Sequence, residues 1–362
     1  MRILRLLMEA TETSGPYNLL TLPALKIHQI HVHSLLQNSL NDIPSELKIS
    51  SSRGSISAFL SALRKLLASN QRPDIIHAHT PHVGFLYTLI RFYTRSDIPY
   101  ILTLHCSYEN LTIRNRFLFW TASLGADTIV PCSNSSNSSL PPLYRFFFRR
   151  RIHAIQNGVD TQRIQPYFEA RKASDELRII WIGRLIKLKR PMDLLYAFRQ
   201  IIAKNINAQL TIIGEGHLKD DLEEYCQTHQ LENQVRLTGN IPRNQVYREL
   251  SMSDLFVSTS SREGLPIAVL EAMTMGIVPI LSDIPPHREI LGSNWEREIL
   301  YPTGDTHMLE SKVLSFAGYP DQDRERMSAW SRENTIERFG LERMIREYNE
   351  LFDSLISAKS GK

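Results

Sequence analysis

The chain has 362 residues, of which 42% are hydrophobic and 22% are charged, and its formal net charge at pH 7 is +4. This length exceeds what one compact core usually holds and predicts about two domains. The composition is that of a globular protein, which excludes collagen-like and disordered chains, and no run approaches the roughly 18 apolar residues of a membrane-spanning helix. The three widely spaced cysteines, Cys106, Cys132 and Cys226, indicate reduced thiols in a cytoplasmic protein.

The two halves of the chain differ in charge. Residues 1–165 carry 17 Lys and Arg against 9 Asp and Glu, a net +8, whereas the remainder carries 25 against 29, a net −4. A basic half suits a phosphorylated substrate, anionic lipid or nucleic acid, so the asymmetry indicates different partners for the two halves. A chance distribution over two surfaces is the alternative.

Short apolar runs alternate with longer amphipathic stretches in the first half, which predicts a parallel sheet with helices on both faces. The first run is short and interrupted by Arg5, so we interpret it as a buried strand rather than a signal peptide. Apolar residues at helical spacing predict helices over Ser55–Ala68 and Pro81–Tyr93. The predicted strands are Ile3–Met8, His28–His33, Asp74–His79, Tyr100–His105 and Thr128–Cys132.

The same alternation restarts after the turn signal Asn157-Gly158-Val159-Asp160 and the polar stretch Gln162–Glu176. We therefore predict an N-terminal domain over 1–160, a C-terminal domain over 161–335, and a helical segment over 336–362 that packs back, because the tail Asp321–Ile356 is strongly helical. The predicted strands are Leu177–Ile182, Gln209–Ile213, Val235–Thr238, Leu255–Ser258 and Val278–Ser282, and the helices between them are Pro191–Lys204, Leu218–His229, Gln245–Ser251 and Pro266–Met275. Ligands of such sheets bind outside the carboxyl ends of the strands.

The segment Ser261–Met273 follows one of these strands and opens a helix. Gly264 permits the close approach of a ligand, and Pro266 suits the first helical turn, whose free N–H groups attract phosphate. Glu263 precedes the helix and Glu271 lies inside it, so one carboxylate can face the strand ends while the other binds hydroxyl groups. Two solvated surface carboxylates are the alternative, but Glu271 stands in an apolar run where an unpaired charge is costly.

A second segment, Gly183–Arg190, ends the first strand of the C-terminal domain and precedes its first helix. Arg184 can bind a diphosphate as a planar fork and Lys189 as a point charge. A solvated basic loop is the alternative for this segment taken alone. Its place in the same domain as the two glutamates favours a donor-phosphate site.

With these residues the chain resembles the retaining glycosyltransferases of family 4. The resemblance is carried by the strand end Gly183-Arg184-Leu185 with Lys189, by Glu263 and Glu271, and by four further segments: Asn157-Gly158-Val159-Asp160, Gly214-Glu215-Gly216, Leu237-Thr238-Gly239 and the terminal Tyr348–Phe352. It covers nearly the whole chain. It implies the α/β fold called GT-B, in which two Rossmann-like domains with parallel sheets face each other across a cleft and a C-terminal helix packs back.

The resemblance also implies that the second domain binds a nucleotide-sugar. In that arrangement Arg184 and Lys189 hold the diphosphate, Glu271 holds the ribose hydroxyls, and Glu263 contacts the transferred sugar near the reacting carbon. The loop after Leu237-Thr238-Gly239 lies beside the base, and no residue is assigned to the base itself.

The first domain of the family binds the acceptor. The resemblance implies that His105 faces the donor sugar and bonds a hydroxyl or helps to stabilise the positive ring; a half-buried structural histidine is the alternative. The family usually has a glycine pair after the first strand, whereas this chain has Thr13-Ser14-Gly15-Pro16, which leaves Gly15 to meet the donor phosphates. Arg190 stands where a glycine commonly follows the lysine, and it either adds a phosphate contact or faces solvent.

A histidine cluster raises the question of a metal site. His77 and His79 share one face of a strand, and His82 follows shortly after. A metal needs further ligands with an oriented second shell, and no carboxylate partner is evident. The family has a similar His-Ala-His here, so we favour a structural or acceptor-side role.

The run Leu143–Arg151 mixes aromatic residues with arginines. This mixture suits a helix that lies on anionic lipid, and we hypothesise that the first domain docks on the inner leaflet near a lipid-linked acceptor. A buried aromatic ridge with a basic flank is the alternative. Single-stranded nucleic acid is disfavoured because no nucleic-acid-binding motif accompanies the run, so we expect no nucleic-acid partner.

We therefore expect a nucleotide-sugar-dependent hexosyltransferase that retains the anomeric configuration and acts on a glycan or lipid-linked acceptor. The resemblance to the family implies a role in the synthesis of bacterial surface polysaccharide. Gly264 and the helix N-terminus that begins at Leu265 join the cations in binding the donor and neutralising the leaving diphosphate. We predict no metal requirement, and the nucleotide-sugar is a co-substrate rather than a cofactor.

This expectation leaves two reaction mechanisms to compare and two other classes of protein to consider. The resemblance implies front-face attack in which a donor phosphate oxygen takes the acceptor proton, and Glu263 as a covalent nucleophile is the competing scheme. A non-catalytic nucleotide-sugar-binding subunit is the alternative function, since fold does not guarantee turnover, and the altered loop at Gly15 supports it. A Rossmann dehydrogenase is disfavoured because no Gly-x-Gly-x-x-Gly follows the first strand.

Overall fold

The computed structural model describes residues 1–11, 14–40, 42–168, 176–293 and 295–360. The chain forms two compact units, one of Met1–Gly158 with Leu341–Lys362 and the other of Val159–Gly340. The sequence placed these divisions at 160/161 and 335/336. Of the polar stretch Gln162–Glu176, residues 169–175 lie outside the described part.

The first unit is built on a six-stranded sheet in which all described pairings are parallel. Its strands are β1 (Arg2–Leu7), β2 (Gln29–Ser34), β3 (Lys48–Ser51), β4 (Ile75–Ala78), β5 (Tyr100–Leu104) and β6 (Thr128–Pro131), in the order β3-β2-β1-β4-β5-β6. A π-helical segment, Pro16–Thr21, follows β1. The helices are α1 (Leu22–Ala24), α2 (Ile56–Ala68), α3 (Pro81–Thr94), α4 (Ile113–Gly125), α5 (Asn134–Ser138) and α6 (Pro142–Phe148).

The second unit repeats this plan with a second parallel sheet. Its strands are β7 (Leu177–Ile182), β8 (Ala208–Ile213), β9 (Val235–Gly239), β10 (Leu255–Ser258), β11 (Val278–Ser282) and β12 (Leu300–Tyr301), in the order β12-β11-β10-β7-β8-β9. The helices are α7 (Thr161–Ile164), α8 (Pro191–Ala203), α9 (Lys219–Thr228), α10 (Arg243–Ser251), α11 (Ile267–Thr274), α12 (Pro285–Leu291), α13 (Glu296–Ile299), α14 (Thr306–Ala317) and α15 (Asp321–Phe339).

The helical tail consists of two helices that belong to different units. α15 packs against β11 in the second unit, where the Ser331 hydroxyl donates to the Ile277 carbonyl at 2.8 Å. α16 (Leu341–Ser360) returns to the first unit and buries Tyr348 and Phe352 there, at 5% and 1% exposure. The expected return of the C-terminal helix is confirmed, but the tail is not one continuous helix.

Apolar periodicity and capping explain the helices, whereas the sequence analysis did not predict two of the described strands, β3 and β12. α2 begins where the Ser55 hydroxyl accepts from the Ala58 N–H at 3.2 Å, and it buries Phe59 and Leu63, which are four residues apart on one face. β3 is a polar strand at the edge of the sheet and β12 has two residues, so neither gives a strong apolar signal. No helix in the described ranges is both long and apolar enough to span a bilayer.

Candidate active site

The loops after β7 and β10 bind each other at the carboxyl edge of the second sheet. The Thr259 hydroxyl donates to the Lys189 carbonyl at 2.7 Å, and the Ser261 N–H donates to the Leu188 carbonyl at 2.9 Å. The loop after β8 joins them, since the Leu185 N–H donates to the Glu215 carbonyl at 2.9 Å. The two segments singled out in the sequence therefore form one site, at the edge where ligands of parallel sheets bind.

Two glycines permit this close approach of the loops. A Cβ at Gly214 would lie 1.9 Å from the Gly183 carbonyl oxygen, and the φ of Gly214 is +141°, a conformation that other residues rarely adopt. A Cβ at Gly216 would lie 2.3 Å from the Leu185 carbonyl oxygen. Only glycine fits both positions, which gives the Gly214-Glu215-Gly216 motif a physical reason.

Lys189 and Glu263 form an ion pair in the middle of these loops. Their side chains are only 19% and 11% exposed, and the same Glu263 oxygen accepts a hydrogen bond from the Ser260 hydroxyl at 2.7 Å. The sequence predicted that both residues belong to one site, and the structure brings them into contact. Ser260 was not predicted as a partner.

Glu271 does not lie free in the apolar run of α11. Its Oε1 accepts from the Arg243 guanidinium and from the Tyr247 hydroxyl, the latter at 3.0 Å, and the residue is 8% exposed. Burial acts to lower the pKa of Arg243, but Glu271 and Tyr247 together outweigh it and raise that pKa above its ordinary value. Burial and the same carboxylate raise the pKa of Tyr247. Arg243 therefore stays charged and Tyr247 stays protonated near pH 7.

Sequence reasoning missed Arg243 and Tyr247. Both lie on α10, which begins four residues after Gly239, so the predicted base-side loop after Leu237-Thr238-Gly239 leads directly to them. The available signal was a pair of polar residues four apart, whose side chains share one helix face. That signal is common on surface helices and did not single them out.

The start of α11 differs from the prediction. The helix begins at Ile267, with Pro266 as its N-cap in extended geometry, so Pro266 does not lie inside the first turn and the helix does not begin at Leu265. Gly264 and Leu265 are buried in the preceding loop. Along the chain they stand between Glu263 and the start of α11, and their donor-binding role stays a prediction.

Arg184 and Arg190, two further cations of the β7 loop, differ in their surroundings. Arg184 is exposed, and its side chain forms no ion pair with any acid in the described part of the chain. Arg190 has a φ of +49°, the left-handed region that favours the glycine commonly found there, and its Nε binds Asp193 Oδ2 at 2.6 Å. Arg190 therefore binds an acid of α8 and is not fully solvated, and a phosphate contact from it stays a prediction.

His287 binds the ends of β10 and β11, next to the loop that carries Glu263. The sequence did not indicate this residue. It is fully buried; its Nδ1–H donates to the Ser282 carbonyl at 2.6 Å, and its Nε2 lies 3.3 Å from the Ser258 hydroxyl. Burial lowers its pKa to about 4. A neutral His287 thus fixes the strand end from which Ser260 and Glu263 follow.

His105 follows β5 in the first unit, where its Nε2 lies 3.0 Å from Nδ1 of His79. Burial and the charge of Arg5 lower its pKa to about 4. His77 and His79 are 0% and 2% exposed and bind Arg5. Within the described ranges, no group of three or more His, Cys, Asp or Glu side chains is arranged so that it could hold a metal ion.

Gly15 lies between β1 and the π-helical segment. It has a right-handed helical conformation with a φ of −55°, and a Cβ there would meet nothing within 4 Å. Neither conformation nor crowding requires glycine at this position. Glu12 and Thr13, which precede it, lie outside the described part, so Gly15 as a phosphate ligand stays a prediction.

Two other features lie away from the candidate site. A cavity of about 520 Å³ in the first unit is lined by residues such as Arg2, Gln29 and Lys48, which begin their strands. It therefore lies at the opposite edge of that sheet from His105. Asp321 and Asp323 have Asp-x-Asp spacing but stand in the first turn of α15, where Arg324 and Arg326 approach them at 4.0 and 3.6 Å.

The site and the two parallel sheets define a GT-B glycosyltransferase architecture, and the family models agree. The model for "Glycosyltransferase Family 4" matches residues 24–163, and the model for "Glycosyl transferases group 1" matches residues 165–334. The chain belongs to the group 1/family 4 glycosyltransferases.

Curated relatives are glycosyltransferases of several kinds. The chain is 26% identical over 228 residues to the "Glycogen synthase" of Mycobacterium tuberculosis, covering 59% of this chain and 53% of that protein. It is 27% identical over 242 residues to the "UDP-Gal:alpha-D-GlcNAc-diphosphoundecaprenol alpha-1,3-galactosyltransferase" of Escherichia coli, covering 62% of this chain and 61% of that protein. The alignments thus span little more than half of these relatives.

Solved structures show the same fold. The sucrose-phosphate synthase of Thermosynechococcus elongatus aligns with a TM-score of 0.78 at 15% identity, covering 99% of this chain and 100% of that one. Anabaena Alr3699/HepE in complex with UDP-glucose aligns with a TM-score of 0.78 at 16% identity, covering 98% and 100%. At these identities the likeness establishes the GT-B fold and no more.

Proposed function

We propose that this protein transfers a hexose from a nucleotide-sugar to a glycan or lipid-linked acceptor and retains the anomeric configuration. The observation that carries the proposal is the arrangement at the carboxyl edge of the second sheet, where Lys189 and Glu263 form a half-buried pair and Glu271 is held by Arg243. The similar Escherichia coli enzyme is named for a UDP-sugar donor and a lipid-diphosphate acceptor, and HepE binds UDP-glucose. Both are consistent with a nucleotide-sugar donor here.

The proposed chemistry breaks the bond between the anomeric carbon and the donor phosphate. The acceptor oxygen forms the new bond on the same face of the sugar, and its proton passes to an oxygen of the departing phosphate. Lys189 exchanges part of its contact with Glu263 for the diphosphate, and the exposed Arg184 adds a second cation. Such fixed charges, already in place before reaction, are often the largest catalytic contribution.

The surroundings of Glu263 favour front-face attack over a covalent intermediate. Its Oε1 already accepts from Lys189 and from Ser260, and both contacts withdraw electron density from the carboxylate. An Oε1 that two donors hold is a weaker nucleophile toward the anomeric carbon, which is our reason for preferring front-face attack. We therefore propose that Glu263 orients the sugar and Lys189, that Glu271 binds the ribose, and that His105 donates a hydrogen bond during transfer.

The first test is a donor screen. UDP-, GDP- and ADP-hexoses are compared by thermal shift, because a ligand that binds only the folded state raises apparent stability. The best donor is then used to measure release of its nucleoside diphosphate and the anomeric configuration of the product. Binding without release or transfer supports the non-catalytic subunit instead, and an inverted product refutes retention.

We also propose that the first unit docks on the inner leaflet of an anionic membrane through a surface formed by α4 and α6. Tyr144 and Phe148 on one face of α6 are buried, whereas the other face is open, so the run is only in part the buried ridge considered above. The exposed apolar members of this α4–α6 surface, at 60% to 86% exposure, are Ile113, Phe117, Leu124, Leu143, Phe146 and Phe147.

The charge of this surface suits anionic lipid. Residues 113–151 contain six arginines and one acidic residue, Asp127, which is bound by Arg91 at 2.8 Å. Arg145, Arg149 and Arg150 are exposed beside the aromatic residues. These three arginines form no ion pair within the described part of the chain, and exposed apolar side chains among such cations are typical of helices that lie in a membrane interface.

A flotation assay tests the docking proposal. We expect the protein to float with phosphatidylglycerol-containing vesicles at low salt and not with pure phosphatidylcholine vesicles. Changing Phe146 and Phe147 to serine abolishes flotation, whereas the same change at Tyr196 and Met308, two exposed residues of the second unit, leaves it intact. Equal flotation with both vesicle types refutes the electrostatic part of the proposal. Flotation of the variant changed at Phe146 and Phe147 refutes the α4–α6 surface as the docking surface.

A further inference from the structure

A buried arginine without an acidic partner lies behind His105. Arg5 stands in the middle of β1 and is 2% exposed, and no Asp or Glu of the described residues forms an ion pair with it. Its Nη1 lies 3.1 Å from Nδ1 of His77 and 3.3 Å from Nε2 of His79, and its Nη2 donates to the Leu20 carbonyl at 3.0 Å. The two Nη groups of this buried cation are thus bound by neutral groups alone, and its buried Nε has no hydrogen-bond partner among the described residues.

The chemistry of a guanidinium fixes where the protons of these histidines lie. Arginine has only donors, so Nδ1 of His77 and Nε2 of His79 must both be acceptors. The proton of His79 then sits on Nδ1, which lies 3.0 Å from Nε2 of His105 and donates to it. It follows that Nε2 of His105 carries no proton and that its proton is on Nδ1.

The surrounding groups keep His77 and His79 neutral beside the charged Arg5. His77 Nε2–H donates to the Thr103 hydroxyl at 2.7 Å, and the ring of Tyr348 from α16 lies 5.5 Å from the ring of His77. Burial and the neighbouring positive or titratable groups lower the pKa values of His77 and His79 well below their ordinary value. Burial also lowers the pKa of Arg5, to about 10, so the guanidinium stays charged at neutral pH.

We propose that Arg5 and His79 are positioning residues that hold His105 in a single neutral tautomer, with the proton on Nδ1, so that this N–H is the hydrogen-bond donor that His105 offers to the reaction. The inference rests on the proposed function for the role of His105, but the proton arrangement itself does not. A neutral donor also avoids placing a second positive charge beside a sugar ring that becomes positive in the transition state.

Nitrogen NMR of the full chain labelled with ¹⁵N-histidine tests the proton arrangement without any substrate. We expect the His105 signals, identified by their loss in His105→Gln, to show an unprotonated Nε2 and a protonated Nδ1 at pH 7. In Arg5→Met the two His105 nitrogens should shift toward values averaged between both tautomers. Arg2→Met, at a half-exposed arginine of the same strand bound to Asp74, is the control and should leave them unchanged.

Kinetics with the donor chosen by the screen test the consequence. His79→Leu removes the donor to His105 and should lower kcat about tenfold with little change in donor KM, whereas His79→Asn keeps an N–H near the position of Nδ1 and should recover most of the loss. A wild-type spectrum with protonated Nε2 on His105 overturns the inference, and so does an unchanged spectrum in Arg5→Met. The expected spectrum together with no transfer from any donor refutes the proposed function and leaves the proton arrangement standing.

Discussion

Replacing Lys189 by methionine removes one charge from the donor-phosphate site and keeps most of the side-chain length. The ammonium group lies against Glu263 with only 19% of the side chain exposed, so water screens it less than a surface lysine. A hydrogen bond to a charged group contributes about 1.5–3 kcal/mol. If Lys189 stabilises the departing diphosphate, kcat/KM should fall about 10- to 150-fold, since about 1.4 kcal/mol corresponds to tenfold in rate.

The chain offers a matched control for this change. Lys187 lies in the same 3₁₀ turn, Lys187–Lys189, but is exposed, so Lys187→Met should keep kcat/KM within about twofold. The assay is the release of nucleoside diphosphate at several donor concentrations, with urea unfolding to correct for lost stability. A fall in kcat beyond the rise in KM indicates a contact made mainly in the transition state. Equal rates for the two variants would refute the assignment of Lys189.

Four further outcomes follow from the structure. Glu271→Gln should reduce the preference for a ribonucleoside diphosphate over its 2′-deoxy form in a binding titration, and an unchanged preference contradicts the ribose contact. Gly214→Ala should lower the free energy of unfolding by a few kcal/mol, because the added Cβ would meet a backbone carbonyl. Gly318→Ala is the control: the atom nearest to its added Cβ is 3.6 Å away, so the same urea melts should show a loss under about 1 kcal/mol. EDTA should leave transfer intact, and inhibition reversed by a divalent ion contradicts metal independence. Burial lowers the pKa of His33 and His287 to about 4, whereas both histidines have a pKa near 6.5 in the unfolded state, which therefore binds more protons between these two values. As the pH is lowered from about 6.5 to about 4, each histidine should reduce the free energy of unfolding by about 1.4 kcal/mol per pH unit. Urea midpoints that do not fall as the pH is lowered across this range contradict the prediction.

The sheets were predictable because buried parallel strands are almost continuously apolar. Leu177–Ile182, Leu255–Ser258 and Val278–Ser282 have the predicted bounds to the residue. The strand Lys48–Ser51 was missed because it lies at an edge, where polar residues are tolerated. The helical tail was predicted as a whole, but its break at Gly340 depends on which unit each half packs against.

The site was predictable as a set of residues and not as a set of contacts. Lys189 and Glu263 are 74 positions apart, and their pairing depends on two loops that meet only in the folded sheet. The acidic partner of Arg243 is 28 positions away, and the histidine partners of Arg5 are 72 and 74 positions away. A sequence can show that Glu271 needs a partner in an apolar helix, because a bare buried charge is costly, but not which residue supplies it.

The central claim is that the second unit recognises the diphosphate of a nucleotide through Lys189 and Arg184. Calorimetric titration of the wild type with the nucleoside diphosphate and the nucleoside monophosphate of the preferred donor tests it most directly. The account predicts much tighter binding of the diphosphate, and a loss of most of that difference when both cations are changed to methionine. Equal affinity for the two nucleotides in the wild type, or an undiminished difference in the double variant, would contradict it.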